Sequence, residues 1–125
     1  MNGMRPMVKN SGVSLIELMI AVAVIGIVTA ISVPMYNDYI DTAARGVMRN
    51  NIETIRLFQE DLKLPAATYT YDPDDPDAAA GLKAKLGWEP RTTEDKITYV
   101  LVVAGNSYTI TATDDAERSV SATYP

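Results

Sequence analysis

The first third of the chain is dominated by apolar residues. From Leu18 to Val33 every side chain is uncharged. A helix from Val13 to Asn37 would be about 37 Å long at roughly 1.5 Å per residue, enough to cross about 30 Å of hydrocarbon. One acid interrupts the pattern near its start, Glu17. Because a carboxylate in hydrocarbon costs about 2.5 to 3.5 kcal/mol, its presence indicates a function and a partner for the charge.

The pattern changes after Tyr39. Apolar residues then recur at spacings of three and four, with charged residues between them; they are Ala44, Val47, Met48, Ile52, Ile55, Phe58 and Leu62. This spacing is typical of an amphipathic helix that packs on a globular core. Pro65 cannot continue a helix, so we expect the helix to end near Leu64.

The C-terminal part of the chain reads as β-structure. Segments 96–104, 108–113 and 118–124 are rich in Val, Ile, Thr and Tyr and are separated by turn residues. They predict three antiparallel strands in a meander, with one face on the helix and one in water. The predicted fold class is therefore α+β, a long N-terminal helix packed on a small antiparallel sheet of about three strands.

A connector, residues 65–95, joins helix and sheet. We predict a short helix from Ala78 to Leu86, capped by Asp77 and ended by Gly87. Trp88 follows, and we expect it to pack the connector onto the sheet. The acidic run 72–77 offers four carboxylates to calcium. It lacks the spacing and glycine turn of an EF-hand, so helix capping and solvation explain these acids better.

Composition excludes several functions. The chain has no cysteine and no histidine, which removes disulfides, thiolate nucleophiles, soft metal sites and the commonest general base. We therefore expect no catalytic residue, no metal, no cofactor and no enzymatic activity. The chain has 16 acidic against 11 basic residues, which argues against direct nucleic acid binding through a broad basic face.

The N-terminal residues 1–12 carry Arg5 and Lys9 and no acid. The positive-inside rule keeps such an end in the cytoplasm and sends the rest of the chain outward. Loss of these 12 residues would leave nine basic and sixteen acidic residues, a net charge of −7. A plain membrane anchor fits the apolar run but leaves Glu17 unexplained. A secretory signal cut after Val28-Thr29-Ala30 fits less well, because such signals have shorter apolar regions and seldom hold an acid.

A third interpretation uses more of the residues. A basic leader ending in Gly12, then Val13-Ser14-Leu15-Ile16-Glu17 and a long apolar helix, resembles the class III signal of type IV pilins and pilin-like proteins. The resemblance implies cleavage after Gly12 by a prepilin peptidase and N-methylation of Val13. The family commonly has Phe and then Thr after the cut, and this chain departs from that with Val13 and Ser14.

The resemblance continues beyond the cleavage position. Many pilins have a glycine, a proline and two tyrosines where this chain has Gly26, Pro34, Tyr36 and Tyr39. Gly26 is a weak helix former and Pro34 lacks an amide hydrogen, so we expect the softest part of the helix, and a kink, between them. Many pilins of Gram-negative bacteria also close their C-terminal loop with a disulfide, which this chain cannot do. Its last strand must be held by sheet hydrogen bonds and by packing; the residues expected to pack are Val120, Ala122 and Tyr124.

The resemblance also gives Glu17 a partner. Cleavage would create an ammonium on Val13, and the family picture pairs the carboxylate of one subunit with the N-terminus of its neighbour. Each charge is costly alone in apolar surroundings, so the pair would specify the register of assembly more than add stability. The residues expected to carry assembly are therefore Glu17, Gly26 and Pro34.

The resulting prediction is a structural subunit with three parts: a cleaved leader (1–12), a transmembrane and filament-core helix (13–39) and a globular head (40–125). It implies an inner-membrane precursor with its N-terminus inside that polymerises into an extracellular or periplasm-spanning filament supporting adhesion, motility or DNA uptake. The expected partners are further copies of the chain, other pilins, the prepilin peptidase, the inner-membrane assembly machinery and, before assembly, membrane lipid. The alternatives are a minor pilin, a type II secretion pseudopilin, or a membrane-tethered binding domain that never polymerises.

Overall fold

The computed structural model describes Gly3 and residues 11–125, so Arg5 and Lys9 of the predicted leader lie outside the described residues. The elements are α1 (Leu15–Leu62), β1 (Thr68–Tyr71), α2 (Leu82–Leu86), β2 (Thr98–Ala104), β3 (Ser107–Thr113) and β4 (Ser119–Tyr124). A long helix with an antiparallel sheet is the α+β class that the sequence predicts.

The chain divides into two compact units, Met1–Asp38 and Tyr39–Pro125. We call the part of α1 from Leu15 to Asp38 the stem and the second unit the head. The apolar side chains of the stem are exposed in the isolated chain. By length and composition, α1 contains a segment that could cross a membrane.

Helix α1 ends at Leu62, two residues before the predicted end. Lys63 adopts a left-handed conformation with φ of 48° and donates its amide hydrogen to the Gln59 carbonyl over 2.8 Å. The Gln59 side chain is buried and bonds both the amide nitrogen and the carbonyl oxygen of Leu64, at 3.3 and 3.4 Å. These contacts satisfy backbone groups that the helix end would leave unpaired, and Pro65 then prevents further helix.

The sheet is an antiparallel meander in the order β1-β2-β3-β4. It has four strands, so the expectation of about three strands was wrong. The additional strand, β1, lies inside the predicted connector and pairs Tyr69 with Leu101 and Tyr71 with Tyr99. Its four residues, Thr-Tyr-Thr-Tyr, alternate as a strand should. Pro65 on one side and the acidic, proline-containing run on the other made this short segment look like part of a loop.

The core of the head lies between α1 and the inner face of the sheet. Helix α1 contributes four buried residues at spacings of four and three, which are Met48, Ile52, Ile55 and Gln59. The sheet contributes Tyr99, Leu101, Ile110 and Ala112, each completely buried. Three other members of the predicted apolar pattern, Val47, Phe58 and Leu62, remain 40 to 52% exposed. The helix thus buries a narrower stripe than its sequence predicts.

The start of α2 differs from the prediction. The helix begins at Leu82 and not at Ala78, with Gly81 at its N-cap and no capping side chain, so Asp77 does not cap it. Gly81 forms a bridge with Thr70 of β1. A Cβ at Gly81 would lie 2.8 Å from the carbonyl oxygen of Ala78 and 3.1 Å from that of Thr70. Because this close approach to β1 fixes Gly81, the helix can start only after it.

Two other predictions for the connector, the end of α2 at Gly87 and the packing of Trp88, are confirmed. Gly87 ends α2 in the left-handed conformation, with φ of 69°. Trp88 is buried, with its ring in edge contact with Tyr71 and Tyr99 at centroid distances of 5.8 and 5.0 Å. Its indole nitrogen donates to Thr54 Oγ1 of α1 over 2.9 Å. Trp88 therefore joins the connector to both the sheet and the helix.

The last strand is tied to α1 through Tyr124. The ring of Tyr124 packs on Tyr108 at a centroid distance of 5.3 Å and lies under the Arg56 guanidinium at 4.9 Å. Its hydroxyl donates to Glu53 over 2.9 Å. Arg56 also bonds Glu60 at 2.8 Å, and this bond holds the pKa of that carboxyl below its usual range. Together with the β3–β4 ladder, these contacts hold the C-terminus without a disulfide.

Candidate functional site: the N-terminal end of helix α1

Ser14 and Glu17 cap helix α1 reciprocally. The Ser14 amide donates to Glu17 Oε2 over 2.7 Å, and the Glu17 amide donates to Ser14 Oγ over 3.3 Å. This is a capping box, in which two of the unpaired amides of the first helical turn find acceptors. The motif Ser-x-x-Glu before an apolar run is its sequence signal, and the sequence reasoning above missed it.

The capping box gives Glu17 a role inside its own chain. A carboxylate near a helix N-terminus is also favoured by the helix dipole. The bond to Ser14 does not exhaust the carboxylate, because two oxygens can accept several hydrogen bonds. Glu17 can therefore cap its own helix and still receive a donor from outside.

Gly12 and Val13 precede the helix in an exposed stretch. A Cβ built on Gly12 meets no atom within 4 Å, and Gly12 is not among the residues with positive φ. Hence neither packing nor backbone conformation requires glycine at this position. The Val13 side chain is 78% exposed. The Gly12–Val13 peptide bond therefore lies in an exposed stretch of the isolated chain.

The other predicted assembly residues are spread along the stem. Gly26 and Pro34 both lie within α1, which is helical through both. A Cβ at Gly26 would meet nothing within 4 Å outside its own helix. Thr29 Oγ1, between them, donates to the Ile25 carbonyl over 2.7 Å and so satisfies its own hydroxyl within the helix. Glu17 bonds Ser14, next to the predicted cleavage position, whereas Gly26 and Pro34 lie farther along the helix. The kink between them stays a prediction.

The acidic run 72–77 forms a turn. The Asp74 amide donates to Asp72 Oδ1 over 2.9 Å, and Asp77 pairs with Lys83 at 3.0 Å. Among the residues that the structure describes, no group of three or more Asp, Glu, His or Cys lies close enough together to hold a metal ion. Asp72 therefore stabilises the turn, and Asp77 forms the ion pair with Lys83.

The N-terminal segment matches a family profile described as the prokaryotic N-terminal methylation motif, over residues 7–33. Two proteins of Dichelobacter nodosus, one named type IV major fimbrial protein FimA and one named fimbrial protein, are each 60% identical to this chain over 38 residues. The aligned segment covers 29% of this chain and 24% of each relative. The match thus spans about a quarter of the length of these relatives. No solved structure matches the chain.

The methylation motif covers Gly12, Val13, Glu17 and Gly26. The fold behind it is a long helix, apolar in its first half, whose second half packs on an antiparallel sheet. The relatives are named as fimbrial proteins and not as enzymes. In its N-terminal motif and its α+β fold, this chain is similar to the type IV pilin and pilin-like family.

Proposed function

We propose that the chain is a structural subunit of a type IV pilus or a related filament. It is made as a membrane precursor, cut after Gly12 and polymerised through its stem, and it catalyses no reaction. The observation that carries this proposal is the position of Glu17, one carboxylate at the start of an apolar stem, one helical turn from the cleavage position.

Cleavage changes the charge at this end of the helix. Hydrolysis of the Gly12–Val13 bond leaves a primary ammonium on Val13, beside the capping box. In a filament, that ammonium meets the Glu17 carboxylate of a neighbouring copy, while Ser14 holds each carboxylate in place. Both charges are costly in apolar surroundings unless paired, so copies that pack out of register are disfavoured.

The stem suits both the membrane and the filament. Its exposed apolar side chains suit lipid before assembly and other stems afterwards, since both surroundings are uncharged. A head-to-tail contact between copies generates a helical filament when the rotation between successive copies does not close a ring. The partners are other copies of the chain and other pilins, a prepilin peptidase and an inner-membrane assembly machinery, with the N-terminus of the precursor on the cytoplasmic side.

The test is the mass and location of the protein in its native cell. Surface filaments are sheared off, and their subunits are compared by intact mass with the membrane pool. The proposal requires filament subunits that begin at Val13, with or without one added methyl group. Filament subunits that still carry Met1, or a protein that stays in the membrane as an uncut monomer, would refute it. Abundance in the sheared fraction separates a major subunit from a minor one.

A further inference from the structure

The face of the sheet that points away from α1 carries no charged side chain. It is formed by the residues that alternate with the buried ones along the strands: Thr68 and Thr70, then every second residue of 98–102, 109–113 and 119–123. These are seven threonines, two serines and two valines, and each is exposed or half-buried. We call this surface the hydroxyl face. It stands out because 22% of the residues in the chain are charged.

Strand pairing arranges the hydroxyl face as a regular array. Its middle row runs across the sheet through Thr70, Val100, Thr111 and Ser121. Neighbouring strands in a sheet lie about 4.8 Å apart, and alternate residues of one strand lie about 6.8 Å apart. The strands and rows of this face therefore cover a patch of roughly 14 by 14 Å.

Hydroxyl groups on this face already bond to each other. Thr109 Oγ1 lies 2.9 Å from Thr123 Oγ1, and Thr111 Oγ1 lies 3.0 Å from Ser121 Oγ. One hydroxyl of each pair donates, and the other keeps an O–H that can bond to a hydroxyl opposite it. The threonine methyl groups and Val102, which is 41% exposed, supply apolar contact. A partner of the same chemistry therefore covers the face without leaving many polar groups unpaired.

Charge selects a second copy of the chain as that partner. The chain has a net charge of −5, so two copies repel each other where their charged surfaces meet. The hydroxyl face is free of this repulsion, and its hydroxyl and methyl groups are complementary to an identical set. A contact between identical faces is isologous, because each copy uses the same patch. Two sheets can stack in this way about 10 Å apart, with interdigitated side chains.

The two ends of the face set the orientation of the contact. At one end lies a cleft of about 550 Å³, whose lining includes Asp72, Asp74 and Asp115. At the other end lies the uncharged β2–β3 turn, with Gly105 and Asn106. Parallel strands in the two copies would bring the acidic ends together, which like-charge repulsion disfavours. A twofold axis that runs across the strands instead places each acidic end over the turn of the other copy, with β3 over β3.

Resting on the proposed function, we propose that the hydroxyl face binds the same face of a second copy in a neighbouring filament and so joins filaments side by side. The patch of roughly 200 Å² on each copy is far smaller than the roughly 800 Å² per partner of a stable complex. A single pair of copies therefore separates readily. A filament repeats the face along its length, so many weak contacts between two filaments act together.

The first test places a charge of either sign on the face of the full-length chain. Ser121 is exposed and lies in the middle row. Ser121→Lys and Ser121→Glu should each lower the fraction of sheared filaments that sediments at low speed as bundles about tenfold or more, because every contact would bury a charge. General repulsion between acidic filaments predicts instead that the Lys variant bundles more than the wild type. Ser121→Thr should bundle like the wild type.

The matched control is the same pair of changes at Thr92, an exposed hydroxyl residue of the connector. Thr92→Lys and Thr92→Glu should leave bundling near the wild-type level. Fluorescence of Trp88, the single tryptophan, checks that each variant keeps a folded head.

The outcomes separate this proposal from the proposed function. Wild-type chain that forms no filament would refute the proposed function itself. Wild-type filaments that stay single, or normal bundling of both charged Ser121 variants, would overturn only the face proposal. An equal loss of bundles in the Thr92 variants would overturn it as well. So would a charged Ser121 variant with a folded head that forms no filaments, because the face would then lie inside the filament.

The second test identifies what covers the face and in which orientation. Because the chain has no cysteine, filaments of Thr109→Cys and of Thr113→Cys are prepared separately, dispersed, mixed and allowed to bundle before a short thiol-specific crosslinker is added. These two positions are the opposite ends of the face on β3, so the antiparallel contact should join one variant to the other and neither to itself. Crosslinking of each variant only to itself would overturn the antiparallel orientation. Crosslinking to a different protein, or none in bundled filaments, would overturn a second copy as the partner.

Discussion

The Glu17 carboxylate lies 2.7 Å from the Ser14 amide and caps the helix of its own chain. The acid that looks misplaced in an apolar run therefore has a local role as well as the proposed role in assembly. The two roles can be tested separately, because a capping box accepts glutamine as well as glutamate.

The first prediction separates charge from capping. Glu17→Gln keeps the capping geometry and removes the charge, whereas Glu17→Ala removes both. If the carboxylate pairs with a neighbour's Val13 ammonium, both variants should insert into the membrane at least as well as wild type and both should assemble poorly. The measurement is the ratio of sheared filament to membrane pool, with cleavage checked by mass. Assembly of Glu17→Gln at the wild-type level would reject the pairing account and leave capping as the whole explanation.

Ser14→Ala is the complementary change. It removes the side-chain acceptor of the Glu17 amide and keeps the carboxylate, at a cost of about 1 kcal/mol at the helix end. We expect assembly to fall less than in Glu17→Gln, because the charge pair remains. A Ser14→Ala defect as severe as that of Glu17→Ala would show that positioning by Ser14 matters as much as the charge.

The next prediction concerns cleavage. Gly12→Val should leave uncut precursor in the membrane, because a branched side chain would crowd a protease subsite that fits glycine. The chain itself has open space at Gly12, so its own fold should not change. Gly3→Val is the matched control, since a Cβ at Gly3 also meets nothing within 4 Å. The measurement is the intact mass of the protein in the membrane fraction. Normal cleavage of the Gly12→Val variant would show that the cleavage position is not after residue 12.

A third prediction follows from the division of the chain at Asp38 and Tyr39. A fragment lacking residues 1–39 keeps the buried stripe of α1 and the whole sheet. We expect it to be a soluble monomer that unfolds in one cooperative transition without any disulfide. Sedimentation and urea denaturation measure this, and aggregation in mild buffer would mean that the head needs part of the stem.

The bond from Trp88 to Thr54 gives a prediction about stability. Thr54→Val keeps the shape of the side chain but removes the acceptor of a buried indole N–H, which should cost about 1 to 3 kcal/mol. Thr54→Ser keeps an acceptor and should lose less. Urea unfolding of the head fragment, followed by the fluorescence of Trp88, measures both. Equal stability of the Val variant and the wild type would show that this hydrogen bond does not stabilise the head.

The buried tyrosines predict loss of stability in alkali. Burial raises the pKa of Tyr99, and the hydrogen bond from Asn51 offsets this only in part. Burial also raises the pKa of Tyr71 and Tyr108. On raising the pH, the tyrosines of the unfolded chain release their protons before those of the folded chain do. The contribution of these tyrosines to stability is therefore constant below the unfolded pKa of about 10 and falls as the pH rises above it. Unfolding at a series of pH values tests this, and Tyr99→Phe should reduce the slope.

The class of fold and the order of its parts could be predicted because they depend on long periodic segments. The apolar stem, the strands β2, β3 and β4 and the position of the buried stripe on α1, though not its width, follow from spacing and residue type. Strand β1 could not be predicted in the same way, because four residues carry little periodicity and its place is decided by pairing with β2. The position of Gly81 likewise depends on a contact with Thr70 of β1, which its own local sequence does not indicate.

At the N-terminus, the sequence identified the important acid but only part of its surroundings. Glu17 stood out because a charge in an apolar run is unusual. Its bond to Ser14 could have been predicted from the Ser-x-x-Glu motif, because this is the sequence pattern of a capping box. The partners of the polar side chains on α1 could not be predicted from the sequence, since Asn51 bonds Tyr99 and Thr54 accepts from Trp88 across the fold.

The attachment of β4 to α1 through Tyr124, Arg56 and Glu53 has a consequence for how the subunit matures. A head closed by such contacts needs no oxidant and no thiol exchange, because it contains no cysteine to oxidise. The attachment of β4 to α1 forms as soon as the head folds, and a reducing agent does not break it. Folding of the head is therefore independent of whether the surroundings are oxidising or reducing.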